Sequence, residues 1–235
     1  MMRTVGILAG GMATRLRPIT ESIPKALVDV AGVPFICRQL NYLREQGVSR
    51  VVLCIGHLGH MIEDVVGDGS AFGLDVSYSP DGPKLLGTGG AVKQALPLLG
   101  DSFFLLYGDS FLPIDFQPIE TAFLTSGRTG LMTVLENGDR WDKSNVLFRD
   151  GSLIEYNKHA PSIEMKYIDY GLGMLRADAL GGYEAGAVFD IADLYHTLSL
   201  QGELAGYEVH ERFYEIGSHS GLKEAESYFN ERQRK

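Results

Sequence analysis

The segment of this chain best equipped for chemistry runs Leu8-Ala9-Gly10-Gly11-Met12-Ala13-Thr14-Arg15-Leu16-Arg17-Pro18 and then Pro24-Lys25-Ala26-Leu27. Glycines directly after an apolar run let backbone amides approach an anion with no Cβ in the way. Thr14 adds a hydroxyl, and Arg15, Arg17 and Lys25 add cations with only Glu21 of opposite sign between them. Such a loop holds phosphate. It is not a P-loop, because the residues after Gly6 and Gly11 are Met12 and Ala13 where lysine and a hydroxyl are required, and no Gly-x-Gly-x-x-Gly dinucleotide fingerprint is present.

Further segments could complete a site. Asp109 follows the apolar run Phe103–Tyr107 and Gly108, and ligands of open parallel sheets bind beyond the carboxyl ends of the strands. Thr88, within Leu86-Gly87-Thr88-Gly89-Gly90-Ala91, could instead cap a helix. Glu215 could be an ordinary exposed carboxylate, and Tyr167, Ile168 and Leu172 could be core. His57-Leu58-Gly59-His60 lacks a third metal-ligating group at suitable spacing, and no Ser-His-Asp assignment has support. Cys37 and Cys54 lie in apolar patterns and read as core thiols.

Taken together, these segments resemble the sugar-1-phosphate nucleotidylyltransferase family, whose loop runs Leu-Ala-Gly-Gly-x-Gly-Thr-Arg-Leu-x-Pro followed by Pro-Lys. The match covers Leu8 to Pro18 and Pro24-Lys25 and departs at Ala13, where the family usually has glycine. The resemblance implies that Leu8, Ala9, Gly10, Gly11, Met12, Ala13, Thr14 and Arg15 hold the nucleotide, with Gly87, Thr88, Gly89 and Gly108 against the base and its phosphates. Arg15 and Lys25 take catalytic roles by the same resemblance, Arg15 neutralising the departing pyrophosphate and Lys25 the sugar phosphate. Asp109 and Glu215, in Phe213-Tyr214-Glu215-Ile216-Gly217, match the family's magnesium ligands, Glu215 standing where aspartate is usual. Asn157-Lys158 resembles a Glu-Lys or Asp-Lys pair, and Tyr167–Gly173 the sugar-contacting strand. The resemblance thus assigns the sugar phosphate to Lys25, Asn157, Lys158, Asp169 and Gly171.

The implied reaction joins a nucleoside triphosphate to a sugar 1-phosphate and releases pyrophosphate, with Mg2+ as cofactor. A phosphate monoester with a second pKa near 6 is already ionised at neutral pH, so the nucleophile needs no general base. The short chain resembles the branch of mannose- and heptose-1-phosphate guanylyltransferases, which implies GTP with mannose 1-phosphate or D-glycero-D-manno-heptose 1-phosphate. A uridylyl- or thymidylyltransferase remains an alternative. So do a non-catalytic nucleotide-sugar-binding subunit and a cytidylyltransferase for a phosphorylated alcohol, in which Tyr156, Tyr167 and Tyr170 could cage a quaternary amine.

The elements that must position these residues follow from periodicity. Val5–Ala9, Arg50–Ile55, Asp75–Ser79 and Phe103–Tyr107 read as buried strands alternating with helices. One helix follows Pro34 and stops at Gly47, one spans His57–Val66, and one follows Gly89-Gly90. The second half reads as strands at Leu131–Glu136, Asn145–Phe148, Leu153–Tyr156 and Tyr167–Arg176, with turns at Asn137-Gly138-Asp139 and Asp150-Gly151. A helix at Ile191–Leu200, a strand at Leu204–His210 and a helix from about Gly221 follow. The expected fold is α/β: a single Rossmann-like three-layer α/β/α domain over residues 1–235 with a mostly parallel mixed sheet. Residues 1–110 form the nucleotide-binding half, and 111–235 a small β-rich sugar-binding region with a C-terminal helix.

The 235 residues are 45% hydrophobic and 22% charged, ordinary values for a globular chain. A net charge of −9 argues against a nucleic-acid partner, whose phosphates require clustered cations. No run approaches the roughly 20 apolar residues of a membrane span. Without a secretory pattern at the N-terminus the expected location is the cytoplasm, with a homodimer an open alternative.

Overall fold

The computed structural model describes residues 2–233. Strand β1 (Val5–Leu8) leads into three single 3-10 turns (Thr14–Leu16, Ile19–Glu21, Lys25–Leu27) and a short hairpin of β2 (Asp29–Val30) and β3 (Val33–Pro34). Pro34 then precedes α1 (Phe35–Glu45), and Gly47, at φ 82°, ends that helical segment as its sequence position demands. β4 (Arg50–Ile55), α2 (Gly59–Val66), β5 (Asp75–Pro80), α3 (Gly87–Leu99) and β6 (Ser102–Tyr107) complete the alternating first half. The second half runs through β7 (Ser110–Phe111), α4 (Gln117–Ser126), β8 (Gly130–Glu136), β9 (Val146–Arg149), β10 (Ser152–Tyr156) and β11 (Tyr167–Arg176). It ends with α5 (Ile191–Leu200), β12 (Leu204–Val209), β13 (Tyr214–Glu215) and α6 (His219–Gln233).

The parallel strands lie in the order β5-β4-β1-β6. The chain therefore leaves β1 to one side, through β4 and β5, and returns on the other with β6. That reversal makes the carboxyl ends of β1 and β6 the switch point of the sheet. β11 joins β6 antiparallel, β8 pairs with both β11 and β12, and the β9–β10 hairpin extends from the start of β11. Asp150 and Gly151 both take positive φ, the conformation a two-residue hairpin turn needs.

Strand alternation sorts the core into two layers. Val51, Leu53 and Ile55 face one side with Ile36, Leu40 and Leu43 of α1, Ile62 of α2 and Ile119 of α4. Val52 and Cys54 face the other, against Val92 and Ala95 of α3 and Leu194 and Leu198 of α5. This is the expected three-layer Rossmann-like sandwich. A third cluster joins Phe229 and Ala225 of α6 to Leu16, Val30, Phe35, Phe111 and Ile216, outside both layers.

Three local expectations need correction. The third helix begins at Gly87 rather than after Gly90, because the Phe189 carbonyl accepts from Gly89 and Gly90 and satisfies first-turn amides. The second helix begins at Gly59, since Leu58 is turned left-handed at φ 56° and cannot continue a helix. α4 and the short strands β2, β3, β7 and β13 were not anticipated, the strands being only two residues long with no periodicity to read. No helix among the described residues is long and apolar enough to cross a membrane.

Candidate active site

A cavity of about 520 Å³ opens at the switch point between β1 and β6. Leu8 and Tyr107 are register partners at the ends of these strands, and the Gly108 amide donates to the Leu8 carbonyl at 3.1 Å. A Cβ on Gly108 would stand 2.4 Å from that carbonyl oxygen, so only glycine permits the two loops to leave the sheet side by side. Gln39 of α1, buried and absent from the sequence reading, donates to the carbonyls of Tyr107 (3.2 Å) and Ser110 (2.8 Å). It thereby pins the turn carrying Asp109.

On the β1 side, Ala9, Gly10, Gly11, Ala13 and Arg15 line the cavity. Gly10 is packed against the Gly56 backbone, but a Cβ on Gly11 would meet nothing. No protein neighbour therefore requires glycine there, which leaves open approach by a ligand as its use. Ala13 sits at φ 48°, ψ 43°, a left-handed conformation that explains why glycine suits this position. Its carbonyl accepts from the Thr20 hydroxyl at 2.8 Å and the Leu16 amide at 3.1 Å. Met12 and Thr14, expected at the nucleotide, do not line the cavity; Met12 is 45% exposed, and Thr14 opens the exposed 3-10 turn.

Close to the loop after β6, Lys25 Nζ donates to Asp109 Oδ2 at 2.9 Å. The β7–β13 pairing sets Glu215 opposite Ser110, and the Ile216 amide donates to the Asp109 carbonyl at 2.9 Å. Two carboxylates far apart in sequence are thus held together. Burial first, and then the Asp109 charge, pushes the Glu215 carboxyl up, with Arg15 and Lys25 opposing. Glu215 is half-buried beside Asp109 rather than solvated. Among the described residues no group of three or more His, Cys, Asp or Glu side chains could hold a metal, His57 and His60 included. Magnesium uses one or two protein carboxylates plus phosphate oxygens, so the Asp109–Glu215 pair fits it.

A further part of the cavity wall is built on an irregularity in β11, whose pairing with β8 shifts between Asp169 and Gly173. Gly171 there adopts φ 98°, which a side chain would resist. Asp169 accepts from Tyr107 Oη at 2.7 Å and from the Gly171 amide at 3.0 Å, and its own amide donates to Asn145 Oδ1 at 2.9 Å. Burial raises its carboxyl above the usual range while those two bonds oppose the shift. It is a fixed acceptor facing the cavity.

Lys158 lines the cavity as expected, but Asn157 does not. The Asn157 oxygen accepts from the Ala160 amide at 2.8 Å and its nitrogen donates to Glu155 Oε1 at 3.2 Å, so the side chain closes the turn after β10. Lys158 Nζ donates instead to Asp190 Oδ2 at 2.7 Å. Asp190 is the N-cap of α5: Oδ1 accepts from the Ala192 amide at 3.1 Å and from the Thr88 hydroxyl at 2.7 Å, while Thr88 Oγ1 accepts from the Ile191 amide. Thr88 therefore braces α5 rather than capping its own helix. Burial works to raise the Asp190 carboxyl, yet the bonds from Lys158, Thr88 and Ala192 hold it below the usual range. An aspartate directly before an apolar helical run is a readable cap signal, and it could have identified this residue.

Gly87 and Thr88 line the cavity. Gly89 does not, because its glycine is explained by the Phe189 ring, 2.2 Å from where a Cβ would be. Tyr156 and Tyr170 line the wall, but the Tyr167 hydroxyl turns away to Glu208 at 3.0 Å, so the three tyrosines form no cage. Cys54 lies at the cavity wall as a free thiol that burial pushes up to about 12.

A family model described as nucleotidyl transferase matches residues 5–143. The chain is 34% identical over 228 residues to N-acetylmuramate alpha-1-phosphate uridylyltransferase of Neisseria meningitidis serogroup B, spanning 94% of this chain and 96% of that one. It is 33% identical over 114 residues to D-glycero-alpha-D-manno-heptose 1-phosphate guanylyltransferase of Campylobacter jejuni, covering 48% and 51%. Among solved structures, HddC from Yersinia pseudotuberculosis superposes with a TM-score of 0.81 at 25% identity, over 97% of this chain and all of that one.

Proposed function

Because the chain belongs to the nucleotidyl transferase family and is a sugar-1-phosphate nucleotidylyltransferase, we propose that it transfers the uridylyl group of UTP to N-acetylmuramic acid α-1-phosphate. The observation that carries this choice of substrate is the 34% identical uridylyltransferase, whose match runs through both halves of the site. The guanine and manno-sugar reading draws on a relative matched over only 48% of the chain.

In this reading the sugar phosphate oxygen attacks the α-phosphorus, a new O–P bond forms, and the bond to the β-phosphate oxygen breaks to release pyrophosphate. The protein's task is to hold two anions in line and screen their repulsion. Gly11 admits the triphosphate beside Arg15, while Lys25 and Lys158, both on the cavity wall, meet the sugar phosphate. Both lysines rest on carboxylates, Lys25 on Asp109 and Lys158 on Asp190, which keeps them extended into the cavity. Asp109 and Glu215 would hold the magnesium ion, which when bound supplies further charge neutralisation on the phosphates. Asp169 accepts from the sugar ring, and Gly171, where a Cβ would stand 3.3 Å from the Tyr107 ring and 3.4 Å from Ser110 Oγ, keeps the adjoining wall free of a side chain.

The test is pyrophosphate release from purified protein with magnesium, run as a matrix of UTP, dTTP, GTP and CTP against N-acetylmuramic acid, N-acetylglucosamine, glucose, mannose and heptose 1-phosphates. UTP with N-acetylmuramic acid 1-phosphate is expected to give the highest kcat/KM. A maximum at GTP with a manno-configured sugar would replace this reading with the guanylyl one.

A further inference from the structure

N-Acetylmuramic acid differs from N-acetylglucosamine by a lactyl ether, which adds one carboxylate. That extra anion enters a cavity already lined by Asp81, Asp109, Asp142, Asp169, Asp190 and Glu215 in a protein of net charge −9, so it requires a dedicated cation. Arg15, Lys25, Lys143 and Lys158 are the cations of the cavity wall. Lys25 and Lys158 are paired with Asp109 and Asp190, and Arg15 stands beside Glu215, their Nη2 and Oε2 atoms converging on Gly217. Among the described residues no carboxylate lies within ion-pair distance of the Lys143 ammonium.

We propose that Lys143, with the side-chain amide of Asn145, is the specificity-determining point that binds the lactyl carboxylate. The inference rests on the N-acetylmuramic acid reading above. The segment carrying these two residues is braced from behind: buried Asn137 donates to the Asp142 carbonyl at 2.7 Å and to Ser144 Oγ at 3.0 Å, and the Ser144 amide donates to Asp139 Oδ1 at 2.7 Å. The backbone at Lys143 is thus fixed while its ammonium stays unpaired. Asn145 Oδ1 is committed to the Asp169 amide, which orients the Asn145 amide group and leaves Nδ2 with no acceptor among the described residues. An ammonium and an amide N–H two residues apart form a donor pair suited to one carboxylate. Asn145 lies against Asp169, and Lys143 lines the same cavity, in which the ring must lie for its phosphate to reach Lys158.

The same segment reaches Glu215 through Asp142, so phosphate screening is the rival role for Lys143. A matched pair of acceptors separates the two. With UTP, wild type, Lys143→Gln and Lys143→Arg are compared on N-acetylmuramic acid 1-phosphate and N-acetylglucosamine 1-phosphate, the latter read as an inhibition constant if it binds without turning over. The expected result is a roughly ten- to hundredfold rise in KM for the muramic substrate in Lys143→Gln, the scale of a lost charged hydrogen bond, with the glucosamine compound changed less than about twofold. Lys143→Arg restores most of the preference. Equal losses on both acceptors, or no loss on either, overturn the assignment while leaving the uridylyl reading intact. A wild type that uses UTP with other sugar phosphates but ignores the muramic one overturns both. Melting temperature is the folding control, and the exposed position of Lys143 predicts no shift.

Discussion

Asp109 faces Lys25 and Glu215 at once, so its carboxylate sets the charge balance of that part of the cavity. Asp109→Asn keeps the shape and removes the charge. Turnover is expected to fall at least about a hundredfold, the scale of losing one preorganised electrostatic group, while the circular-dichroism melt stays close to wild type because the side chain is partly exposed. Near-normal pyrophosphate release would remove Asp109 from the metal site. Asp190 allows a finer separation. Asp190→Asn can still accept from Ala192 and Thr88 but presents Lys158 with an amide nitrogen, so KM for the sugar phosphate should rise several-fold while KM for the nucleotide and the melting temperature hold. Asp190→Ala should show the same KM shift and additionally lose about 1 kcal/mol of stability with the helix cap, measured by urea titration.

At the scale of elements, β1 and β6 end side by side, and the loop after each carries near its start a glycine crowded by backbone, Gly10 by Gly56 and Gly108 by Leu8. Ala13 is the exception the chain accepts, a left-handed alanine whose conformation costs about 1 kcal/mol relative to glycine. Ala13→Gly is expected to raise stability by up to about 1 kcal/mol, the gain reduced by glycine's freedom in the unfolded chain. A fall in the denaturation midpoint would count against that strain. Gly108→Ala places a Cβ 2.4 Å from the Leu8 carbonyl oxygen, a backbone atom in a central strand that has no room to yield. Its expected cost is about 1–3 kcal/mol, or several degrees of melting temperature, together with lost activity, since both loops shift. The glycine-rich character of the loop after β1 was legible in the sequence. The reason for each glycine was not: Gly10 serves the Gly56 backbone, Gly11 open space and Gly89 the Phe189 ring, neighbours remote in the chain.

At the scale of the molecule, α6 packs Phe229 against Phe111 (ring centroids 4.7 Å apart), with Ile216 and Leu16 in the same cluster. This cluster clamps the β7–β13 pair that carries Glu215, so a helix with no residue in the cavity holds one wall of it in place. Phe229→Ala should cost about 3–5 kcal/mol in chemical denaturation. Under conditions where the variant is still folded, it should need more magnesium for half-maximal pyrophosphate release. An unchanged magnesium requirement would separate the clamp from the metal end. Chelation of divalent ions should abolish turnover in wild type, with activity returning on addition of magnesium.

The sequence by itself determined the alternation of strands and helices, the glycine-rich basic loop after β1 and the carboxylate at the end of β6, because these depend on apolar periodicity and on glycines and charges close together in the chain. Tertiary structure alone decided what depends on distant partners. Asn157 turns away because the Ala160 amide and Glu155 claim it, while Asp190 holds both Lys158 and Thr88, which lie 32 and 102 residues before it in the chain. Lys143 is left unpaired although aspartates stand on the same wall. Periodicity records which face a residue turns toward the core, whereas a polar side chain's task is set by which donor or acceptor folding brings within about 3 Å of it.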